Sequence, residues 1–198
     1  GAIWYQGEAN RSAPSLYAKL FPAMVAQWRQ DWKIGDFPFY YVQIAPYSSL
    51  KPDDTNPQAL RLDRFSPYLR DYQLKAQADI PNSGMAVLTD VGSVSTIHPP
   101  DKETVGRRLS YWALNKTYGR SDIPYSGPVF KSQKIHGNTL VLSFDHAEGL
   151  YLKKSTSNNF EIAGEDAVFY PAVAVIKGTD IYVSSPHVNK PVAVRYAF

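Results

Sequence analysis

The chain has 198 residues, of which 44% are hydrophobic and 20% are charged, and its formal net charge is +3. This composition is typical of a folded globular protein and excludes a disordered chain. The charges are spread evenly along the sequence, and no apolar run approaches the roughly 20 residues of a membrane span, so we expect neither a nucleic-acid partner nor a membrane segment. The absence of cysteine excludes disulfides, thiol catalysis and cysteine-bound zinc.

Short apolar runs alternate with helical patterns in the first part of the chain. Buried strands are predicted at residues 2–6, 37–45 and 84–89. Between the first two strands, apolar side chains recur every four residues and predict one face of a helix. That face consists of Leu20, Met24, Trp28 and Trp32, with Tyr17, Phe21 and Val25 beside them. Residues 46–67 are rich in Pro, Asp and Ser and predict a long surface loop, and residues 68–79 predict a second helix.

A third helix is predicted after His98-Pro99-Pro100. Asp101 has the side chain of an N-cap, and Glu103 adds a favourable negative charge to the first turn. The apolar face of this helix consists of Val105, Leu109, Trp112 and Ala113. Strands that alternate with helices favour a parallel sheet covered by helices on both faces.

The pattern changes after Ser126, where short alternating strands replace the helices. Leu140, Leu142 and Phe144 alternate with smaller or polar residues. Turn signals recur at Gly137-Asn138, Gly149, Gly164 and Lys177-Gly178. The sequence therefore predicts an α/β domain over residues 1–126 and a small all-β module over residues 127–198.

Both ends of the sequence lie in or directly beside predicted strands. Ile3 and Trp4 belong to the first buried strand, and Phe198 follows an alternating strand. Because domains seldom begin or end within an element, we expect the chain to be part of a longer polypeptide or one of two associated chains.

Polar side chains follow the first and third predicted strands at one edge of the sheet. Gln6, Gly7 and Glu8 come directly after the first strand, and His98 lies between the third strand and the third helix. Parallel α/β sheets bind ligands at this carboxyl edge. A carboxylate can orient the imidazole of a general base, and amide or backbone N–H groups can stabilise an oxyanion. The competing structural interpretations are a polar turn after the first strand and a histidine that packs beside Pro99.

The sequence contains no recognisable nucleophile. No serine lies in a Gly-x-Ser-x-Gly motif, and there is no His-Glu-x-x-His motif, glycine-rich phosphate loop or EF-hand loop. From its residues alone, the chain offers a base and an acid for acyl transfer but no group that attacks the substrate.

Several separate segments resemble the sialate O-acetylesterase family, in the order in which that family has them. Residues 3–10 are a close match to its Trp-Tyr-Gln-Gly-Glu motif. Ile97-His98-Pro99, followed by Lys102 and Arg107-Arg108, is similar to the segment with its catalytic histidine. Further similar segments are Leu20–Met24 with Trp28-Arg29, Phe37-Pro38-Phe39 with Val42-Gln43, Gly127-Pro128-Val129 and Phe160–Gly164. The resemblance covers nearly the whole chain.

The resemblance implies part of a flavodoxin-like three-layer α/β fold of the SGNH hydrolase type, followed by a β-sandwich-like module. It implies a serine-type carbohydrate O-acetylesterase that acts on O-acetylated sugars and needs no metal or cofactor. It also implies His98 as general base, Glu8 as a candidate for the acid that orients it, and Gln6 and Gly7 at the oxyanion hole. Asp90 is a second candidate for the acid because it ends a strand close to the His98 loop, and a residue outside the chain is a third. We further expect Trp4 and Asn10 at the substrate.

The chain departs from the family pattern in two places. The family's nucleophilic serine lies in a Gly-Gln-Ser-Asn-type motif N-terminal to every segment present here, and we expect it on a missing segment, either a second chain or a cleaved half. Many SGNH hydrolases have Asp at the positions of Ser95 or Thr96, neither of which is a carboxylate. The alternatives are a non-catalytic carbohydrate-binding fragment and an inert proteolytic remnant. Acetylated glycan substrates favour a periplasmic or secreted bacterial protein.

Overall fold

The computed structural model describes residues 1–48, 55, 57–93, 96–151 and 159–198, with the backbone alone for residues 57–64. The chain folds into two compact units, Gly1–Tyr125 and Ser126–Phe198. The first unit contains a parallel sheet and the second an antiparallel sheet, which confirms the mixed α/β class. Among the described residues, no helix combines the length and apolar character needed to cross a membrane.

The sheet of the first unit has three parallel strands. They are β1 (Ala2–Tyr5), β2 (Phe39–Val42) and β3 (Ser83–Ala86), in the order β1-β2-β3. Tyr5 pairs with Val42 and Val42 with Ala86, so the three strands end in register. All three predicted strands are present, each shorter than its apolar run because the run continues into the turn that follows.

Helices cover both faces of this sheet. They are α1 (Pro14–Trp32), α2 (Pro57–Asp79) and α3 (Lys102–Trp112). Phe39 and Tyr41 of the central strand pack in one core with α1 and α2, whereas Tyr40 and Val42 pack in a second core with α3. All four side chains are buried, because a strand with helices on both sides is apolar on both faces.

The buried face of α1 contains most of the predicted apolar face. Tyr17, Phe21 and Val25 are buried as predicted, and Met24 and Trp28 pack partly buried against the same core. Leu20 is 51% and Trp32 is 67% exposed, so the prediction was wrong at those two positions. The buried stripe also includes Arg29, because its guanidinium donates hydrogen bonds to the carbonyl oxygens of Phe37 (2.8 Å) and Pro81 (2.6 Å).

The predicted loop at residues 46–67 is also corrected in part, because α2 begins at Pro57. Residues 49–54 and 56 lie outside the described residues. Proline suits the first turn of a helix, where its missing N–H has no intrahelical partner. Pro67 lies inside the helix at the cost of one hydrogen bond, and the buried stripe that follows holds the helix on the sheet. That stripe consists of Leu69, Gln73, Ala76 and Ile80.

The third helix forms as predicted. The Asp101 carboxylate accepts a hydrogen bond of 2.9 Å from the backbone N–H of Thr104, and Val105, Leu109 and Trp112 are buried. Trp112 lies directly on β3, where a Cβ atom on Gly84 would come within 2.3 Å of its ring. The cap therefore fixes the residue at which the helix starts. This also fixes where the preceding segment, which contains His98, enters the helix.

The second unit is a six-stranded antiparallel sheet in the order β4-β5-β8-β7-β6-β9. Its strands are β4 (Val129–His136), β5 (Thr139–Asp145), β6 (Phe160–Ala163), β7 (Phe169–Lys177), β8 (Asp180–Ser184) and β9 (Ala193–Tyr196). The first half of β7 pairs with β6 and the second half with β8. The Gln133 amide of β4 donates to the Val192 carbonyl beside β9 (3.0 Å). The module is thus one curled sheet around one core, where the sequence led us to expect either a sandwich or a barrel.

Candidate active site

The carboxyl ends of the three parallel strands lie side by side in the first unit. β1 leads into Gln6-Gly7-Glu8, β2 leads into Gln43, and β3 leads into the loop with Asp90 and His98. Neighbouring strands are about 4.8 Å apart, so the ends of β1 and β3 are separated by roughly 10 Å.

The turn after β1 is held from the protein interior. The backbone carbonyl of Gln6 accepts hydrogen bonds from the Gln73 side-chain amide (3.1 Å) and from the Tyr17 hydroxyl (3.3 Å). Gln73 on α2 is fully buried, and Tyr17 on α1 is 3% exposed. The first residues of the predicted site are therefore fixed by two helices that come later in the chain.

The side chain of Gln6 lies against the same turn. Its amide nitrogen donates to the Asn10 side-chain oxygen over 2.6 Å, and the backbone N–H of Asn10 donates to the Gly7 carbonyl over 2.8 Å. A glutamine amide has two N–H donors, so the bond to Asn10 engages one of them. The structure brings together Gln6, Gly7 and Asn10, three of the residues assigned from the sequence.

Gly7 is buried, and only glycine fits there. A Cβ atom at this position would lie 2.7 Å from the Ile44 side chain and 3.0 Å from the Gln73 amide nitrogen. Its φ of 157° combined with a ψ of −26° is also unfavourable for residues that have a Cβ atom. Glycine therefore allows the turn to approach the end of β2 and α2 more closely than any other residue type would.

The segment with His98 reaches the end of β1 from the other face of the sheet. His98 is exposed, its backbone N–H donates to the Thr96 hydroxyl (3.1 Å), and Pro99 next to it is buried. Four residues further on, the Lys102 ammonium lies 5.5 Å from the centre of the Tyr5 ring in β1. The start of α3 and the end of β1 are thus in contact.

The charge of Glu8 acts on the same tyrosine. The pKa of Tyr5 is raised above its ordinary value, first by burial and second by the negative charge of Glu8. Tyr5 therefore lies between the Glu8 turn and the segment that carries His98. In the part of the chain that the structure describes, no hydrogen bond joins the Glu8 carboxylate to the His98 imidazole.

Asp90, the second candidate for the acid, has a strong structural partner. Its carboxylate forms two hydrogen bonds with the Arg108 guanidinium, at 2.6 and 2.7 Å, and the same guanidinium donates to the Val87 carbonyl (2.6 Å). The pKa of Arg108 is raised, chiefly by its hydrogen bond to Asp90. This arrangement ties the loop after β3 to α3 and gives Asp90 a role that does not depend on His98.

Trp4 packs inside the protein. Its ring meets the ring of Trp28 edge to face with the centres 5.6 Å apart, and it adjoins the core between the sheet and α1. Its side chain is half-buried in that position, so most of the ring contributes to packing.

Metal binding is not indicated by the side chains present. The residues that the structure describes contain no group of three or more His, Asp or Glu side chains that could hold a metal ion.

The chain is similar to proteins of known activity. No family model matches it. The sialate O-acetylesterase of Rattus norvegicus is 30% identical over 175 residues, which are 82% of this chain and 32% of the rat protein. The sialate O-acetylesterase of Homo sapiens is 29% identical over 175 residues, 82% of this chain and 33% of the human protein. A crystal structure of a carbohydrate acetylesterase from Xanthomonas citri matches with a TM-score of 0.84 and 36% identity, over 99% of this chain and 44% of that one.

Over 82% of its length, this chain is related to the sialate O-acetylesterases. The family resemblance identified from short motifs is thereby confirmed over most of the chain. The chain spans about a third of the length of the mammalian relatives it matches. The match to the bacterial acetylesterase extends over both units, so the curled β-sheet has a counterpart there as well as the parallel sheet.

Three residues that hold the candidate site in place were not predicted from the sequence. Gln73 and Tyr17 hold the Gln6 carbonyl, and Arg108 holds the loop after β3. A signal for Gln73 exists, because it occupies the same helical stripe as Leu69 and Ala76. A glutamine in an apolar stripe must find buried hydrogen-bond partners, and the free ends of neighbouring strands supply them.

Proposed function

We propose that this chain supplies the general base and part of the oxyanion-binding groups of a carbohydrate O-acetylesterase. The observation that carries the proposal is the convergence of Gln6-Gly7-Glu8 and the His98 segment at one edge of the parallel sheet, with Lys102 against Tyr5. The similarity to sialate O-acetylesterases and to a bacterial carbohydrate acetylesterase supports acetyl esters on sugars as the substrate class.

The proposed reaction is a two-step acyl transfer. A serine hydroxyl attacks the acetyl carbonyl while His98 accepts its proton, and the resulting oxyanion is stabilised by the Gly7 N–H and the Gln6 amide. His98 then donates the proton to the leaving sugar oxygen. Water attacks the acetyl-serine with His98 as base, which releases acetate and restores the serine. Glu8 orients His98, because a carboxylate beside the imidazole of a general base can hold it in position.

The serine belongs to a segment outside this chain, which we propose docks on β1. Among the described strands β1 is at the edge of its sheet, and Ile3 on that strand is 72% exposed. A further parallel strand there would extend the sheet towards the flavodoxin-like SGNH architecture. The helices on both faces of the existing sheet support this arrangement. Acetylated glycans are met outside the cytoplasm, which favours a periplasmic or secreted protein.

The deciding experiment measures acetate release from 4-nitrophenyl acetate and from O-acetylated sialic acid. The chain is assayed together with its serine-bearing segment, as wild type, His98→Ala and His136→Ala. Loss of a triad member costs about 10³-fold or more in kcat, so we expect that drop for His98→Ala. His136 is exposed on β4 in the other unit, and its variant serves as the control with unchanged turnover.

Equal turnover by wild type and His98→Ala contradicts the proposed mechanism. Binding of acetylated sugars without any turnover supports the alternative of a carbohydrate-binding fragment.

A further inference from the structure

Two buried donors from two helices converge on one backbone carbonyl at the candidate active site. The Gln6 carbonyl accepts from the Gln73 amide and from the Tyr17 hydroxyl, at 3.1 and 3.3 Å. These donors are 67 and 11 residues away in sequence, and both belong to helices that pack on the same face of the sheet. One donor would satisfy the carbonyl, so the second adds control over its direction.

The Gln73 amide can take only one orientation. Its side-chain oxygen accepts a 2.9 Å hydrogen bond from the backbone N–H of Ile44, and an N–H group can be met only by an acceptor. The amide nitrogen of Gln73 is therefore on the side of Gln6. The Tyr41 hydroxyl donates to the Gln73 backbone carbonyl (2.6 Å) and fixes the turn of α2 from which the amide extends.

The direction of the Gln6 carbonyl sets the direction of the next N–H. The structure has no cis peptide bond among its described residues, and in a trans peptide the C=O and N–H groups point in opposite directions. Because the carbonyl points at α1 and α2, the Gly7 N–H points away from those helices. The opposite face of the sheet is the one on which α3 packs, and Lys102 at the start of α3 lies over the Tyr5 ring there.

We infer that Gln73, together with Tyr17, is a positioning residue that sets the Gly7 N–H as an oxyanion donor before substrate binds. The inference rests on the proposed function for the identity of the reaction. Its physical basis is that a donor already aimed at the developing charge needs no reorganisation during the reaction. Gln73 touches no reacting atom and acts only through the Gln6–Gly7 peptide.

Matched variants separate positioning from stability. Gln73→Leu removes both amide hydrogen bonds, and Tyr17→Phe removes only the second donor. Gln43→Leu is the control, because Gln43 is also a buried glutamine whose amide donates to α2, at the Arg70 carbonyl (3.0 Å), without touching Gln6. Urea unfolding shows whether the two leucine variants lose comparable stability.

The kinetic readout is the separation of kcat from KM for 4-nitrophenyl acetate, measured with the serine-bearing segment present. Removing an oxyanion donor outright costs about 10²–10³-fold in kcat, so a misdirected donor in Gln73→Leu is expected to cost roughly 10–100-fold. KM is expected to stay within about threefold, since the donor acts in the transition state. Tyr17→Phe is expected to show a smaller drop, and His136→Ala, the control on β4 in the other unit, a kcat within about twofold of wild type.

The structural readout needs no activity. The residual dipolar coupling of the Gly7 N–H in the 198-residue chain reports the direction of that bond. We expect it to change in Gln73→Leu and to stay at the wild-type value in Gln43→Leu.

Gln73→Glu adds a pH test. A protonated carboxyl group has an acceptor for the Ile44 N–H and an O–H donor for the Gln6 carbonyl, whereas the carboxylate has no donor. Burial raises the pKa of such a group. The kcat of Gln73→Glu relative to wild type is therefore expected to be highest at low pH and to fall as the introduced group ionises, while the ratio for Gln73→Leu stays flat.

The outcomes distinguish this inference from the proposed function. If wild type with its serine segment hydrolyses no acetyl ester, the proposed function fails, and the dipolar coupling alone decides whether Gln73 sets the Gly7 N–H. An unchanged coupling in Gln73→Leu overturns the inference in every case. An active wild type whose kcat survives Gln73→Leu overturns it as well.

Discussion

Gly7 is tightly packed in the turn that follows β1. A Cβ atom there meets Ile44 at 2.7 Å and Gln73 at 3.0 Å, so Gly7→Ala must push the turn away from α2. We expect a loss of about 1–3 kcal/mol in the free energy of unfolding, as for other overpacked positions. The matched control is Gly106→Ala on the exposed face of α3, where an added Cβ meets nothing within 4 Å.

Urea unfolding of the two alanine variants checks this prediction. Gly106→Ala is expected to gain about 0.5–1 kcal/mol, because alanine is the better helix former. A Gly7→Ala variant as stable as wild type would show that the turn moves freely and is not held by Gln73.

The sequence indicated candidate site residues where their signal was local. Gln6, Gly7 and Glu8 are contiguous and follow an apolar run, and His98 precedes a helix start, so a short window contains each pattern. Gln73 lies 67 residues from Gln6, and nothing near it in sequence indicates which carbonyl it binds. The partner of Asp90 was missed for the same reason, since Arg108 is 18 residues away on another element.

Elements were predicted well where their ends carry chemical signals, and less well where two apolar stripes compete. The start of α3 follows from Asp101, whose side chain caps it. In α1 the rows that begin at Tyr17 and Leu20 are both apolar, and tertiary contacts of Arg29 decide which row is buried. The start of α2 at Pro57 was not predicted from the sequence, because proline favours both a loop and the first turn of a helix.

The cap of α3 yields a prediction about pH. Hydrogen bonds from Thr104 hold the pKa of Asp101 below its ordinary value of 3.8. A depressed folded-state pKa means that the ionised cap stabilises the fold above pH 3.8, and that this contribution is lost as pH falls through the folded-state pKa. Asp101→Asn keeps an acceptor for Thr104 but has no charge, so it imitates the protonated cap.

Urea midpoints at pH 7 and at pH 2.5 test this behaviour. At pH 7 we expect the order wild type, Asp101→Asn, Asp101→Ala, from most to least stable, because alanine leaves the Thr104 N–H without its cap. At pH 2.5, below the ordinary pKa of 3.8, the gap between wild type and Asp101→Asn is expected to be smaller than at pH 7. A gap between them that is equal at both pH values would contradict a role for the ionised carboxylate.

At the scale of the whole molecule, composition and periodicity sufficed for the mixed α/β class, because a change from period four to period two marks the passage between the units. Such patterns do not show which strands pair with each other in the second unit. The curl of its sheet depends on β7, which pairs with β6 at one end and β8 at the other, and on the bond between Gln133 and Val192. Neither is visible in a run of alternating residues, which is why the sequence left a sandwich and a barrel both open.

The exposed edge of the parallel sheet predicts association of the 198-residue chain. β1 is the edge strand among those described, and α3 packs over β2 and β3, so Ile3 on the α3 side of β1 is 72% exposed. Unpaired strand edges with apolar side chains pair with other chains. We expect wild type to form dimers or larger species, and Ile3→Lys to be monomeric, since burying an isoleucine contributes about 2 kcal/mol per copy and a buried lysine opposes pairing.

Sedimentation velocity over a range of concentrations measures this association. Ile34→Lys is the matched control, because Ile34 is 61% exposed in the loop between α1 and β2, away from the strand edge, and we expect it to associate like wild type. Adding the serine-bearing segment is expected to make wild type monomeric, because that segment would cover β1. Two outcomes would show that β1 is not the associating edge: a wild type that is monomeric at every concentration, or equal association of the Ile3→Lys and Ile34→Lys variants. Either outcome would also remove the support that the exposure of Ile3 gives to docking on β1.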